Sequence, residues 1–318
     1  LRAIVRQQFG GPEQLLIQTV PDPEPAPGEV LVKVRAFGLN RAEQYFRQGL
    51  WGEVAVISGI ECVGSVEADP SGRFDRGQTV IALMGGMGRS RPGSYAEMVC
   101  VPASNVVAVR SRLDWARLAS LPETYATAWS CLHDNLALRP GDRLLVRGAG
   151  SALGQAAVEL AARAGAIVLA QVRSPQSLEQ LLNLGASAAF TEEGLDTLHG
   201  LDAVLDLVGT TTLLDSLRRL GRGGRVCLGG FLGGGAALAQ FDPMRDLPSG
   251  RQLASSAAPS STALPTFRWP TSPSRPSSTR PSGANCARSP PRCSTSTTSR
   301  PRTGCWMPRR PAARSSCR

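Results

Sequence analysis

The pattern of apolar and polar residues divides the chain into three stretches. Up to about residue 110, short apolar runs alternate with turn residues. Ala3-Ile4-Val5 opens the series, and Glu29–Ala36 alternates apolar and polar side chains with the period of a half-buried strand. Ile60–Glu67, Thr79–Leu83 and Tyr95–Val101 follow, each bounded by Gly or Pro, which predicts a small twisted β domain. The proline-studded segment Val20–Gly28 reads as a stiff linker. Near Leu118 the spacing lengthens to that of helices, and Pro140-Gly141-Asp142 introduces a second pattern. Leu144-Leu145-Val146 is a short buried-strand run, after which Leu153, Ala157, Leu160, Ala161 and Ala164 recur at helical spacing. Ala166–Val172, Leu201–Leu207 and Arg225–Leu228 continue as strands, with a helix expected over Leu213–Leu220. Alternating strands and helices predict a parallel sheet covered by helices.

Where the first of these strands meets its helix, the sequence runs Gly148-Ala149-Gly150-Ser151-Ala152-Leu153-Gly154. Gly148 and Gly150 allow a sharp turn and close approach to a pyrophosphate, whose charge would rest on free N–H groups at the helix N-terminus. Gly154 allows helix and strand to pack closely. The spacing G-x-G-x-x-x-G is one residue longer than the usual dinucleotide fingerprint, and alone it also suits a glycine-rich turn in any α/β protein. The strands and helices around it favour a nucleotide-binding domain.

A net charge of +10 suggests an acidic partner until its location is considered. Residues 251–318 hold twelve Arg and no Lys, Asp or Glu, so this stretch carries +12 and leaves the rest of the chain at −2. The same stretch has fifteen Ser and eleven Pro, and no strand–helix alternation survives beyond about Ala254. One reading is a disordered basic segment able to contact nucleic-acid phosphates. The other, which explains more of the composition, is a one-base frameshift beginning near Leu253. Read one base earlier, Ala254–Ala258 gives small and apolar residues, and Ala312–Cys317 can give Gly-Gly-Lys followed by apolar residues. A single lysine, Lys33, fits a GC-rich gene whose shifted frame favours Ser, Pro, Arg and Thr.

The eight cysteines form no C-x-x-C pair, and Cys62, Cys100, Cys131 and Cys227 stand singly in apolar runs, as buried free thiols of a reducing compartment do. No run approaches the ~18 apolar residues of a membrane span. No charged-then-apolar leader opens the chain, so the cytoplasm is the expected location. Leu1 in first place suggests a lost initiator or an unusual start.

Seven short motifs occur in a telling order: Phe9–Glu13, Pro27–Val32, Gly38–Glu43, Gly93–Glu97, Leu138–Asp142, Asp206–Gly209 and Gly223–Val226. On them the chain, over about 1–250, resembles the medium-chain dehydrogenase/reductase superfamily, and within it the zinc-independent, zeta-crystallin-like quinone oxidoreductase branch. The resemblance implies an α/β fold, with a GroES-like catalytic β domain over 1–118 and a Rossmann, doubly wound NADP-binding domain over 119–253. Where the family's chain returns to the first domain, this one has its atypical basic tail, 254–318. Family members are often homodimers joined along a sheet edge that this segment completes. A frameshift there would leave that edge and part of the core uncovered, with weak stability and reduced or no activity.

Zinc-dependent alcohol dehydrogenases of the superfamily hold their metal with a Cys, a His next to Glu, and a later Cys. The resemblance puts Asn40, Ile60 (before Glu61) and Glu123 at those places, and the structural zinc lobe has no counterpart. Zinc takes thiolate and imidazole ligands, and the two histidines, His133 and His199, read as surface or helix-end residues, so no metal is expected. Without a Lewis acid to stabilise an alkoxide, the expected acceptors are those that delocalise charge, quinones and α,β-unsaturated carbonyls.

The resemblance also assigns roles. Asn40, Glu43, Tyr45 and Arg47 would line the cleft between domains as catalytic residues. Asn40 would orient the nicotinamide or the substrate carbonyl, and Tyr45 would hydrogen-bond the substrate or relay a proton. Glu43 replaces a more usual Asp and sets its carboxylate one methylene further out. Tyr45 and Arg47 also suit an exposed amphipathic turn. Trp51 stands where enoyl reductases of the superfamily often have a Tyr, which argues against an enoyl-thioester reductase. Thr127 resembles the family's nicotinamide-contacting Thr, or is a buried helix hydroxyl. Gly148–Gly154, Val208 and Gly209 complete the cofactor contacts. After the second strand, Gln171-Val172-Arg173-Ser174-Pro175 offers no acid to a ribose 2′-OH. Arg173 and Ser174 suit a 2′-phosphate, unless Arg173 is simply solvated, and NADPH is the expected cofactor. Two other readings stay open: a zinc-type alcohol dehydrogenase relative in name only, and a non-catalytic nucleotide- or RNA-binding protein or inactive frameshifted product.

Overall fold

The computed structural model describes residues 1–256. The disordered-tail and frameshift readings fall on residues 257–318 for nearly all their length and lie outside the described residues.

An antiparallel pair, β1 (Arg2–Arg6) and β2 (Leu15–Thr19), opens the chain. After the proline-rich linker come β3 (Glu29–Ala36), helix α1 (Arg41–Gln48), β4 (Glu61–Ala68), β5 (Thr79–Leu83), β6 (Met98–Pro102) and β7 (Val106–Ala108). These five strands form an antiparallel sheet of order β6-β3-β4-β5-β7. Val30, Val32, Cys62, Val66, Val80 and Val101 fill its core, Val30 and Val32 at the two-residue period read for this strand. Leu31 is buried as well, so the start of β3 is covered on both faces and alternation is plain only from Lys33 onward.

Helices α2 (Trp115–Ala119) and α3 (Pro122–Ser130) lead to the second sheet, with a π-helical turn over Cys131–Asn135. Its strands are β8 (Arg143–Arg147), β9 (Ile167–Gln171), β10 (Ala188–Phe190), β11 (Leu201–Asp206), β12 (Leu220–Leu228) and β13 (Gln252–Ser255). All pair in parallel, in the order β10-β9-β8-β11-β12-β13. That is the doubly wound arrangement, whose strand order reverses between β8 and β11 and opens a crevice there. Helix α4 (Ala152–Arg163) covers one face, its Ala156, Ala157 and Ala161 lying against Val146, Val168 and Ala170. Helix α5 (Leu178–Asn183) adds Leu181 to the same core. Helix α6 (Thr210–Arg219) covers the opposite face through Leu213 and Leu217, packed with Leu145, Val204 and Val226.

Two boundaries differ from expectation. Strand β12 begins at Leu220, ahead of the expected Arg225, because a register shift against β11 between Leu201 and Ala203 absorbs Gly221–Gly224. A Cβ at Gly224 would lie 2.8 Å from the Leu201 carbonyl oxygen, so glycines that look like a turn in sequence are an irregular strand in space. Strand β13 runs through Ser255, across the boundary expected at 253, and pairs only with β12 among the described residues.

Candidate active site

Strand β8 ends at Arg147, and the chain turns through Gly148 at φ 77°, a left-handed conformation that costs glycine little. Helix α4 starts after Ser151, whose Oγ accepts from the Gly154 N–H at 3.1 Å and donates to the Gly148 carbonyl at 2.9 Å. This cap satisfies one N–H of the first turn and leaves those of Ala152 and Leu153 without an acceptor in the helix. A Cβ on Gly154 would lie 2.6 Å from both the Ala149 Cα and the Gly148 carbonyl oxygen, so the helix rests directly on the turn. A Cβ on Gly150 would meet only the Ser177 and Val172 side chains, at 3.4 Å and beyond. Past the end of β9, Arg173 is exposed and the Ser174 hydroxyl donates to Gln176 Oε1 at 2.7 Å.

Across the crevice, the fully buried Asp206 ends β11. Its Oδ1 accepts from the N–H groups of Val208 (3.0 Å) and Gly209 (3.1 Å) and from the Thr212 hydroxyl (2.9 Å), and its Oδ2 accepts from the Ser216 hydroxyl at 2.6 Å. One carboxylate therefore fixes both the turn carrying Val208 and Gly209 and the start of α6. Beside it Arg147, only 2% exposed, sends Nη1 to Asp215 Oδ2 (2.6 Å) and to the Ser216 hydroxyl (3.3 Å). Neither Asp206 nor Arg147 is among the expected site residues. The first appears in the sequence only as part of a motif, and the strand was expected to stop at Val146.

A second polar cluster is built on α1, β4 and α3. Glu43, in the first turn of α1, is 4% exposed. Its Oε2 accepts from the Asn40 N–H (2.6 Å) and the Tyr95 hydroxyl (2.8 Å), and its Oε1 from the Ile60 N–H (3.0 Å). The Asn40 side-chain amide donates to Glu61 Oε1 at 2.8 Å, and Glu61 Oε2 accepts from the Glu123 N–H at 2.8 Å. Glu123 Oε1 in turn accepts from the Thr127 hydroxyl at 2.8 Å. Burial raises all three carboxyls above the usual range, and the neighbouring acids add to it: Glu61 raises Glu43, while Glu61 and Glu43 help push Glu123 up to about 7. Burial and the Glu43 charge also raise the Tyr95 phenol, which stays a hydrogen-bond donor.

The structure thus joins Asn40, Glu43 and Thr127 through two glutamates, Glu61 and Glu123, that were not expected as site residues. Their one signal in the sequence was position: Glu123 stands where zinc relatives carry a ligand, and Glu61 follows another such place at Ile60. Helix α3 also packs on α4, with the Tyr125 hydroxyl donating to Glu159 at 2.6 Å, so Thr127 belongs to the layer that carries the glycine turn. Tyr45 reaches the loop after β12 and donates to the Phe231 carbonyl at 3.1 Å, while its ring stacks with Trp51 at 6.1 Å between centroids. Arg47 is spent elsewhere: its Nε donates to the Gly10 carbonyl at 3.2 Å and pins the loop after β1.

Known proteins share this architecture. The alcohol dehydrogenase GroES-like domain matches residues 26–111, and the zinc-binding dehydrogenase domain matches 152–269. The quinone oxidoreductase of Homo sapiens is 27% identical over 73% of this chain and 74% of its own. The chain belongs to the medium-chain dehydrogenase/reductase superfamily, on its quinone oxidoreductase branch. Among solved members of this fold, a quinone oxidoreductase of Pseudomonas syringae superposes with a TM-score of 0.71 at 25% identity, over 80% of each chain. A mycobacterial protein complexed with NADPH gives 0.71 at 28% identity, again over 80% of each. Membership of this branch makes the chain an oxidoreductase, and its doubly wound sheet points to a nicotinamide cofactor. No helix among the described residues is long and apolar enough to cross a membrane.

Proposed function

We propose that the chain is a zinc-free oxidoreductase that passes a hydride from NADPH to a quinone or an α,β-unsaturated carbonyl. The observation that carries this reading is the hydrogen-bonded series Asn40–Glu61–Glu123–Thr127. Zinc asks for thiolate or imidazole donors. At the three corresponding places stand a side-chain amide whose nitrogen donates to Glu61, an isoleucine, and a carboxyl held by Thr127. This set, with a single carboxyl among the three places, does not fit the metal. The favoured acceptors are those that spread incoming charge over their own conjugated system.

A dinucleotide does fit. The left-handed turn at Gly148, the missing Cβ at Gly150 and the free N–H groups of Ala152 and Leu153 make a cradle for a pyrophosphate. When bound, the reduced nicotinamide supplies the hydride. Arg173 and Ser174 are proposed to hold the 2′-phosphate. The nearest acid to the end of β9, Glu192, is engaged by Gln171 (3.3 Å) and Arg147 (3.5 Å), which favours the phosphate over a bare ribose. Val208 and Gly209 contact the cofactor from the β11 side. Asn40 and Thr127 orient the reacting partners, and Tyr45 donates to the acceptor after leaving the Phe231 carbonyl. Glu43 acts by holding the backbone at Asn40 and Ile60, and Arg47 by fixing the rim at Gly10. The division into a catalytic domain over 1–118 and a nucleotide domain over 119–253 belongs to the same proposal. So does a cytoplasmic setting, which the buried free thiols of Cys62, Cys131 and Cys227 support.

Fluorescence titration with NADPH and NADH tests the cofactor choice. NADPH should bind the tighter, and Arg173→Ala should weaken it by about tenfold while leaving NADH unchanged, the loss of one charge-assisted contact. Equal affinities in the wild type would overturn the choice of NADPH.

A further inference from the structure

The cleft holds more acid than the binding of an uncharged acceptor requires. Glu43, Glu61 and Glu123 arrive from three separate elements, and none forms an ion pair among the described residues. They differ in how many donors hold them. Glu43 takes three, and Glu61 takes one on each oxygen. Among the described residues Glu123 takes only the Thr127 hydroxyl, on Oε1. Carboxylates crowded in a poorly solvated site do not all ionise, and the one with fewest donors keeps its proton. When Glu123 is protonated, its O–H donates to Thr127 across the same 2.8 Å contact, and the Thr127 hydrogen is free to turn away from it.

We propose that Glu123 holds the proton the acceptor needs and delivers it through the Thr127 hydroxyl. This rests on the hydride-transfer reading above. An acceptor that has gained a hydride carries negative charge on its oxygen. The Thr127 O–H bond breaks toward that oxygen as an O–H bond forms on the acceptor. The Glu123 O–H bond breaks as Thr127 recovers its proton. The nicotinamide is oxidised by an electron pair and the acceptor is reduced by it. Glu123, left as a carboxylate, takes a proton from water before the next turnover.

The groups that act on Glu123 are Glu61 on β4, Glu43 on α1 with Tyr95 behind it, and Cys131 at the far end of its own helix. Arg47 acts on Tyr95 from α1, and Glu159 on α4 is taken by Tyr125. None of these places a cation against the Glu123 carboxyl.

Two measurements on the full chain test this. In the cofactor-free protein, infrared spectra should show the carbonyl stretch of a protonated carboxyl that fades as pH rises through about 7. That band should be absent in Glu123→Gln and retained in Thr127→Val. In turnover with NADPH and a quinone, wild-type kcat should fall above the same pH. Both variants should lose on the order of a hundredfold in kcat and lose the pH dependence, Glu123→Gln with KM and NADPH affinity kept, while Thr127→Ser restores most of the rate. A halogenated quinone, whose reduced anion needs no immediate proton, should be spared. Wild-type kcat and pH profile in Glu123→Gln, or no titrating band, would overturn the proposal alone. A wild-type chain that oxidises NADPH with no quinone or enone would overturn the functional reading, and the proposal with it.

Discussion

Replacing Asp206 tests how the cofactor-side turn is held. Four donors converge on its carboxylate: the N–H groups of Val208 and Gly209 and the hydroxyls of Thr212 and Ser216. In Asp206→Ala the Thr212 hydroxyl has another acceptor, the Gly209 carbonyl at 3.1 Å. The two N–H groups have none in place. Leaving a buried donor unsatisfied costs about 1–3 kcal/mol, so the pair should cost about 4 kcal/mol. Asp206→Asn keeps an oxygen for both N–H groups and turns an amide toward Ser216, which can accept by rotating its hydroxyl. That change should cost only about 1–2 kcal/mol. Urea unfolding followed by tryptophan fluorescence reads both variants, with the midpoint falling and the slope unchanged. NADPH affinity should fall in the same order, because Val208 and Gly209 ride on the turn. An Asp206→Ala protein within about 1 kcal/mol of wild type would refute the claim that one carboxylate organises it.

Three further outcomes follow from the same geometry. The Glu123 carboxyl lies near 7 in the fold against an ordinary 4.5, so the unfolded chain loses its proton first. Its contribution to stability is therefore complete below the lower value and is lost as pH rises through the upper one, a decline of roughly 3 kcal/mol. Glu123→Gln should flatten that part of the pH–stability curve, and equal slopes would count against the shift. Gly154→Ala, whose Cβ meets backbone at 2.6 Å, should cost about 1–3 kcal/mol or more. Gly150→Ala, with nothing nearer than 3.4 Å, should leave the unfolding midpoint nearly unchanged yet weaken NADPH binding, since its Cβ takes the space where a pyrophosphate approaches. Sequencing the coding DNA should reveal a single inserted or missing base near the Leu253 codon, and an intact frame would remove the frameshift reading of the tail.

Much of the architecture was legible because its signals are local. The two-residue period of β3 and the strand–turn–helix around Gly148 each lie within about twenty residues, and each element formed near its expected place. The acid network was not legible, because its members meet over long separations: Glu43 with Tyr95 across 52 residues, Glu61 with Glu123 across 62. No spacing rule connects residues that far apart, and a glutamate in sequence gives no sign of whether it will be buried. Arg147 makes the same point. An arginine at a strand end reads as solvated, and its burial depends on Asp215, supplied by a helix 68 residues later. The early start of β12 was hidden for a different reason, since four residues rich in glycine look the same in sequence whether they turn or bulge.

NADPH oxidation against a panel of quinones and enones, run before and after exhaustive chelation of metals, tests the central claim most directly. Turnover with NADPH should exceed turnover with NADH and be unchanged by the chelator. A chain with no affinity for either pyridine nucleotide, or one whose activity vanishes on chelation and returns with zinc, would contradict it.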